Sequence, residues 1–134
     1  MNDPSNIPAD LLYTKEHEWT RLEGSTALVG ITDYAAKTLN DVVYLSLPNQ
    51  GEKVKQLVAF GTIESIKAVS ELYSPLSGTI KRVNSDLQTH PELVNQFPYG
   101  EGWIVEIEAS DLASERVTLL NSEQYAAFLA SLGK

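Results

Sequence analysis

The chain has 134 residues, 43% of them hydrophobic, which suits one globular domain that buries a core without covalent staples. It has no cysteine, so disulfides, thiolate metal sites and a cysteine nucleophile are excluded. Its 10 basic and 18 acidic residues give a formal charge of −8, a surface that repels phosphate backbones and argues against nucleic-acid binding.

The first stretch, MNDPSNIPADLLY, has neither the apolar centre of a signal peptide nor the arginines of a transit peptide. No apolar run approaches the roughly 20 residues of a membrane span. A cytoplasmic setting is expected, or the mitochondrial matrix if a leader has been removed. Residues 1–10 are polar with two prolines and read as a loosely held arm ahead of a single domain over 11–134. Two extended segments are expected between Tyr13 and Thr32, separated by the turn signal Glu23-Gly24-Ser25. A short helix follows, capped by Thr32, with Asp33 in its first turn and Ala35, Ala36 and Leu39 as its apolar stripe.

In the next strand Val43, Leu45 and Leu47 alternate with Val42, Tyr44 and Ser46. Pro48–Gly51 and Pro75–Gly78 read as turns, the second leading into the strand TIKRV. His90-Pro91-Glu92 opens one or two helical turns, since proline is tolerated at the first helical position. GWIVEIEA reads as a strand, with Trp103, Val105 and Ile107 on one face. Asn121 or Ser122 caps a terminal helix over 122–132, in which Tyr125, Phe128, Leu129 and Leu132 share a face and Gly133 makes the stop. Many short strands with peripheral helices predict a mainly β fold, a sandwich or flattened barrel.

Catalytic patterns are lacking. The two histidines, His17 and His90, lie far apart with no cysteine to join them in a zinc site. There is no nucleophile elbow, P-loop or dinucleotide fingerprint, and GEGW at 100–103 reads as a turn. The chain does not read as an enzyme.

The stretch ESIKAVSE at 64–71 reads nearly the same in both directions. Folded on its centre, it would pair Ile66 with Val69, Ser65 with Ser70 and Glu64 with Glu71, leaving Lys67 and Ala68 as the central turn residues. Two-residue hairpins favour Gly or Asn at positive φ, which Lys-Ala does not supply, so an ordinary type I turn is expected. A departure from turn chemistry is expected at functional sites. Facing glutamates are mildly destabilising, so stability is a poor reason for that pair. The plain alternative is an exposed hairpin with a solvated lysine. A lysine that serves as a covalent attachment point needs this protruding, rigid presentation.

GTIESIKAVSELYSPLSGTIKRVN resembles the swinging-arm hairpin of lipoyl and biotinyl carrier domains, including the following turn Ser74-Pro75-Leu76-Ser77-Gly78. Biotin carriers flank their lysine with methionines, whereas Lys67 lies between Ile66 and Ala68. YTKEHEW, VGIT, DVVYLSLP, ESIKAVSE and ELVNQFPYGEGW stand in the order and spacing of the H-protein family of the glycine cleavage system, over about residues 8–132. The family resemblance implies a flattened barrel-sandwich hybrid, with lipoate amidated onto Lys67 and a carrier role with no catalysis of its own. It implies as partners the pyridoxal-phosphate glycine decarboxylase (P protein), the tetrahydrofolate-dependent aminomethyltransferase (T protein) and dihydrolipoamide dehydrogenase (L protein). A lipoate ligase or a lipoyl/octanoyl transferase would load a monomeric chain, with no membrane or nucleic acid involved.

The resemblance also implies that the loaded arm folds back into a cleft on the carrier's own surface. Glu18 is then expected to shelter its cationic end, and Glu64 and Glu71 to serve recognition or, for Glu71, the same shelter. Two departures from the family pattern stand out: Asn40, where Gly is common, predicts a local adjustment at positive φ, and Glu16 replaces smaller polar residues. The rival readings are a relay that passes lipoate to other apoproteins and a lipoyl domain detached from a 2-oxoacid dehydrogenase. HEW and the ELVN…GW block argue against the second.

Overall fold

The structure, a computed structural model, describes residues 6–132. Its strands are β1 (Leu12–Tyr13), β2 (Glu18–Glu23), β3 (Thr26–Ile31), β4 (Val42–Ser46), β5 (Lys53–Val54), β6 (Ala59–Ser65), β7 (Val69–Tyr73), β8 (Gly78–Val83) and β9 (Val105–Ala109). The helices are α1 (Asp33–Leu39), α2 (Leu93–Gln96), α3 (Leu112–Glu115) and α4 (Ser122–Leu132), with 3-10 turns at Ser85–Gln88 and Arg116–Thr118. No helix among the described residues is long and apolar enough to cross a membrane.

Gly24, at φ 61, makes the tight connection that sets Glu23 opposite Thr26 and so fixes the register of β2 on β3. That register puts Trp19 opposite Gly30, where a Cβ would come within 2.7 Å of the indole, so only glycine lets Trp19 lie against the strand. Antiparallel pairing continues into one sheet of order β1-β2-β3-β9-β8-β5 and a second of order β4-β6-β7. The alternate side chains Val29, Ile31, Leu45, Ile63, Leu72, Ile80 and Ile107 meet between the sheets as the main core. This is the expected mainly β sandwich, with the short helices around it.

Caps follow the sequence closely. The Thr32 hydroxyl accepts from the Ala35 amide at 3.2 Å, and Ala36 and Leu39 are buried beneath α1. Asn121 Oδ1 accepts from the Gln124 amide and Gln124 Oε1 accepts from the Asn121 amide, each at 2.8 Å, a reciprocal cap that opens α4. Tyr125 on α4 is fully buried and stacks on Tyr13 with centroids 4.6 Å apart, but Leu132, expected on the same apolar face, is 46% exposed. The stop expected at Gly133 lies outside the described residues.

Three other expectations meet corrections or details. Alternation in β4 is broken by a bulge between Val42 and Tyr44, so that Val43 and Tyr44 both face solvent while Leu45 is buried. Residues 1–5 of the expected arm lie outside the described part, and from Asn6 onward the chain is tied down. The Asn6 amide donates to Asp33 at 3.0 Å, the Tyr99 hydroxyl to the Asn6 carbonyl at 2.6 Å, and the Tyr13 hydroxyl to the Pro8 carbonyl at 2.5 Å. Asn40 does adopt positive φ, at 63°, where it ends α1.

Candidate functional site

The β6–β7 hairpin does not fold on the centre of its mirrored sequence. Glu64 stands opposite Val69, Ile63 opposite Ser70 and Thr62 opposite Glu71. The central turn residues are therefore Ile66 and Lys67, with Ser65 and Ala68 closing the turn, and the expected Glu64–Glu71 and Ile66–Val69 pairs do not form. None of Ile66, Lys67 and Ala68 has positive φ, in keeping with a turn that has no Gly or Asn.

Ser65 sets this register. Its amide donates to the Ala68 carbonyl at 2.8 Å, and its hydroxyl oxygen accepts from the amides of Ala68 at 3.1 Å and Lys67 at 3.3 Å. The side chain thus replaces water on two amides that the turn leaves without sheet partners. The Ile66 amide donates to the Asp41 carbonyl at 3.1 Å, which fastens the tip to the chain entering β4. Lys67 is exposed on this anchored tip. The role of Ser65 was not anticipated, although a Ser two residues before a turn amide is a readable signal.

Beside the hairpin a groove of about 210 Å³ runs along β7. Ile31, Leu39, Ile63 and Leu72 give it apolar walls, and Glu16, His17, Glu18 and Glu71 give it polar ones. The structure thus brings Glu18 and Glu71 to one groove. Glu64 lies elsewhere, on the solvent face of β6 between Tyr44 and Val69, and Lys67 stands above the groove's β7 wall by three residues, about 10 Å of extended chain.

Glu18 is 2% exposed. The Thr14 hydroxyl donates to its Oε1 at 2.6 Å and the Tyr73 amide to its Oε2 at 3.1 Å. Burial pushes its carboxyl up to about 8, although the bonds from Thr14 and Tyr73 favour the ionised form. A cation in the groove would favour ionisation. Glu71 is exposed and accepts the Tyr73 hydroxyl at 2.9 Å.

His17, for which the sequence suggests no metal site and no other role, is a fixed part of this wall. It holds φ 75, its ring lies against Tyr34 with centroids 4.7 Å apart, and Nδ1 is 2.8 Å from the Tyr125 hydroxyl. The Tyr125 hydroxyl is also 2.8 Å from Thr32 Oγ1, the cap of α1. Burial draws the imidazole below its ordinary value, so the neutral ring is favoured. Nothing in the sequence spacing joins residues 17, 32 and 125; only the packing of α4 does.

An exposed, anchored lysine next to an apolar groove that ends in carboxylates fits a long acyl arm amide-linked to Lys67. The walls would cover its methylenes, and Glu18 and Glu71 would meet a positive charge at its far end.

The family model described as Glycine cleavage H-protein matches residues 11–132. The chain is 52% identical over 124 residues to the glycine cleavage system H protein of Symbiobacterium thermophilum, covering 92% of this chain and 96% of that one. It is likewise 52% identical over 124 residues to the H protein of Myxococcus xanthus, covering 92% and 95% of the two chains. The crystal structure of a glycine cleavage system H protein from Mycobacterium marinum superposes with a TM-score of 0.79 at 35% identity, covering 90% of this chain and 97% of that one.

Proposed function

From the premise that this chain belongs to the glycine cleavage H-protein family, we propose that Lys67 is the residue through which it acts. The chain is the lipoyl carrier of the glycine cleavage system. Lipoate joined by an amide to Lys67 would supply a dithiolane that accepts and releases the methylamine group of glycine. The observation that carries this reading is the tip itself: Lys67 is exposed on a turn whose amides are held by Ser65 and whose edge is held by Asp41.

The other residues have distinct tasks. Ser65 and Asp41 keep the attachment point from collapsing onto the sheet. Ile31, Leu39, Ile63 and Leu72 exclude water from whatever lies in the groove. Glu18, held by Thr14 and Tyr73, and Glu71 present acceptors to an ammonium there, and a charge-assisted bond of this kind is worth about 1.5–3 kcal/mol. The neutral His17 leaves the groove without a competing cation. Glu64 is a recognition residue on the outer face of the hairpin. P, T and L proteins are the partners this role requires, and tethering raises the effective concentration of the arm at each. The bacterial relatives support a cytoplasmic setting. The match of the H-protein model over residues 11–132 speaks against a lipoyl domain detached from a 2-oxoacid dehydrogenase.

The test is Lys67→Arg, which keeps charge and bulk but removes the acylatable amine. With lipoate, ATP and a lipoate ligase, the parent chain is expected to gain one lipoyl mass on intact mass spectrometry and the variant none, with thermal unfolding unchanged. Lipoyl mass on the Arg variant would overturn the assignment.

A further inference from the structure

We propose that the face at the foot of the β6–β7 hairpin, built around Leu57 and Val58, is the docking surface for the enzyme that unloads the arm. The inference rests on Lys67 being the lipoyl-bearing residue, but it concerns the opposite end of the hairpin. The seven residues of β6, about 20 Å of strand, lie between the two. Leu57 holds φ 65 in a turn closed by the Val58 amide on the Lys55 carbonyl at 3.1 Å. The third position of such a turn favours glycine, and a bulky side chain there is an outlier. Surrounding bonds fix it. The Gln56 amide donates to Ser77 Oγ at 2.9 Å, the Gln56 side chain to Thr118 Oγ1 at 2.8 Å, and the Leu57 amide to the Ser74 carbonyl at 2.7 Å. The Ser74 amide in turn donates to the Val58 carbonyl at 3.1 Å. What this turn presents is apolar: Leu57 is 56% and Val58 53% exposed, and Val117, next to Thr118, is 77% exposed. Backbone strain held by its surroundings clusters at functional positions, and adjacent exposed apolar residues mark contact surfaces.

The occupant follows from charge and position. A groove of about 480 Å³ opens beside Leu57, with Tyr13, Leu119 and Leu120 among its walls. Lys15 and Glu16 line it, Glu52, Lys53 and Lys55 line the hollow on the Val58 side, and Arg116 adjoins Val117. Glu115 is turned inward onto Ser77. Neither Lys53 nor Lys55 has a carboxylate within ion-pair distance among the described residues. On a chain of formal charge −8, this face thus offers more basic than acidic groups. The matching surface is an apolar socket rimmed with Asp or Glu, which a second copy of the basic face does not supply. Position selects the enzyme. Glu16 lines this groove and the arm's groove alike. Glu18, which would meet the cation at the arm's end, accepts the Tyr73 amide, and Leu57 bonds the next residue, Ser74. An enzyme seated here stands beside the cargo end of the arm, away from Lys67. The T protein is the partner that draws a loaded arm out of its groove. The ligase acts at Lys67, and the P and L proteins meet an arm that carries no methylamine.

The experiment uses the full lipoylated chain, loaded by P protein, with purified T protein and tetrahydrofolate, read by ammonia release. Acylation by lipoate ligase and loading by P protein are followed in parallel by intact mass. Leu57→Gly and Val58→Ser are each expected to lower kcat/KM for the T protein about fivefold, with acylation and loading at the parent rate. Glycine enters positive φ freely, so Leu57→Gly is expected to unfold no earlier than the parent, a combination that a packing role does not give. Leu57→Asn, which also tolerates positive φ, serves if the glycine variant unfolds early. Changing both Lys53 and Lys55 to Ser is expected to lower the same kcat/KM and weaken its salt dependence. Leu132→Ser, on the exposed end of α4, is the control. Parent-rate ammonia release from folded Leu57 and Val58 variants would overturn the proposal, as would an equal fall in acylation or loading, or in the control. A parent chain that sediments as a dimer and a Leu57→Gly variant that sediments as a monomer would also overturn it, by giving the face to a second copy. Failure of the underlying reading is separate: it is lipoyl mass on Lys67→Arg, whatever these variants do.

Discussion

Glu18 Oε2 accepts the backbone amide of Tyr73 at 3.1 Å, across 55 residues of sequence. One buried carboxyl thereby joins the loop before β2 to the last residue of β7, the foot of the hairpin that carries Lys67. The groove wall and the strand that follows Lys67 are fixed to each other at this point.

The first expected outcome is a pH dependence. Burial raises Glu18 from an ordinary 4.5 to about 8. Between those values the folded chain holds a proton that the unfolded chain has released, so folding takes up a proton and stability falls as pH rises. The contribution is complete below about pH 4.5 and gone above about pH 8. Thermal midpoints of the parent chain are expected to decline from pH 5 to pH 8, and Glu18→Gln to flatten that decline. Parallel slopes for the two proteins would assign the pH dependence to other groups.

Ser65→Ala removes the hydroxyl that accepts two turn amides. A hydrogen bond of this kind contributes about 1 kcal/mol, so the thermal midpoint is expected to fall by roughly 3–6 °C. Acylation of Lys67 is expected to slow more than the small stability loss explains, because the unsubstituted tip is held for the enzyme and the variant's is not. Ligase kinetics by intact mass check this; a normal rate would mean that the turn holds without its serine.

The hairpin shows how far the sequence could be read. That 64–71 is a hairpin carrying a lysine was legible from its symmetry and from the turn Ser74–Gly78 that follows. Its register was not. The mirrored pairing and the observed one differ by two residues along β7, and a two-residue slip returns every side chain to the same face. Ile63 and Leu72 are buried in either case, so hydrophobic alternation could not choose; the Ser65 hydroxyl and the Asp41 carbonyl did. Local caps such as Thr32 and Asn121 were readable because donor and acceptor lie three residues apart. Glu18 read as a solvated strand residue or an arm shelter with equal force, because its burying partners, Thr14 and Tyr73, are set by tertiary pairing. The β4 bulge that exposes Val43 and Tyr44 left no mark in the alternating sequence.

Asn40 offers a stabilising change. It ends α1 at φ 63 and ψ −145, a region that glycine enters freely and other residues enter at about 1–3 kcal/mol. Its amide still donates to the Ala36 carbonyl at 3.1 Å, and its carbonyl accepts from Asn95 Nδ2 at 2.5 Å; both are backbone groups that glycine keeps. Against the relief stands glycine's larger unfolded entropy, about 0.5–1 kcal/mol. Asn40→Gly is expected to raise stability by roughly 1 kcal/mol with acylation unchanged. Urea unfolding measures it, and a destabilised variant would show that the asparagine side chain stabilises this turn by more than the strain it imposes.

Tyr125→Phe tests the link between α4 and the groove. The phenol touches His17 Nδ1 and Thr32 Oγ1, both at 2.8 Å, and burial keeps it protonated. Thr32 Oγ1 already accepts from the Ala35 amide. A consistent proton placement therefore has Thr32 donating to Tyr125 and Tyr125 donating to His17, which leaves the imidazole proton on Nε2. Losing the phenol oxygen strands Nδ1 in a half-buried wall, at a cost of about 1–3 kcal/mol. It also removes a bond made to the neutral ring, so the titration of His17, lowered first by burial, is expected to move up toward 6.5. A His with a lowered value stabilises the fold above its unfolded pKa and loses that contribution as pH falls, the opposite of Glu18. The variant's stability is therefore expected to depend less steeply on pH below about 6.5. Carbon-detected NMR of the His17 ring across that range decides the matter. An unmoved titration in a folded variant would mean that Tyr125 receives, rather than supplies, the proton it shares with His17.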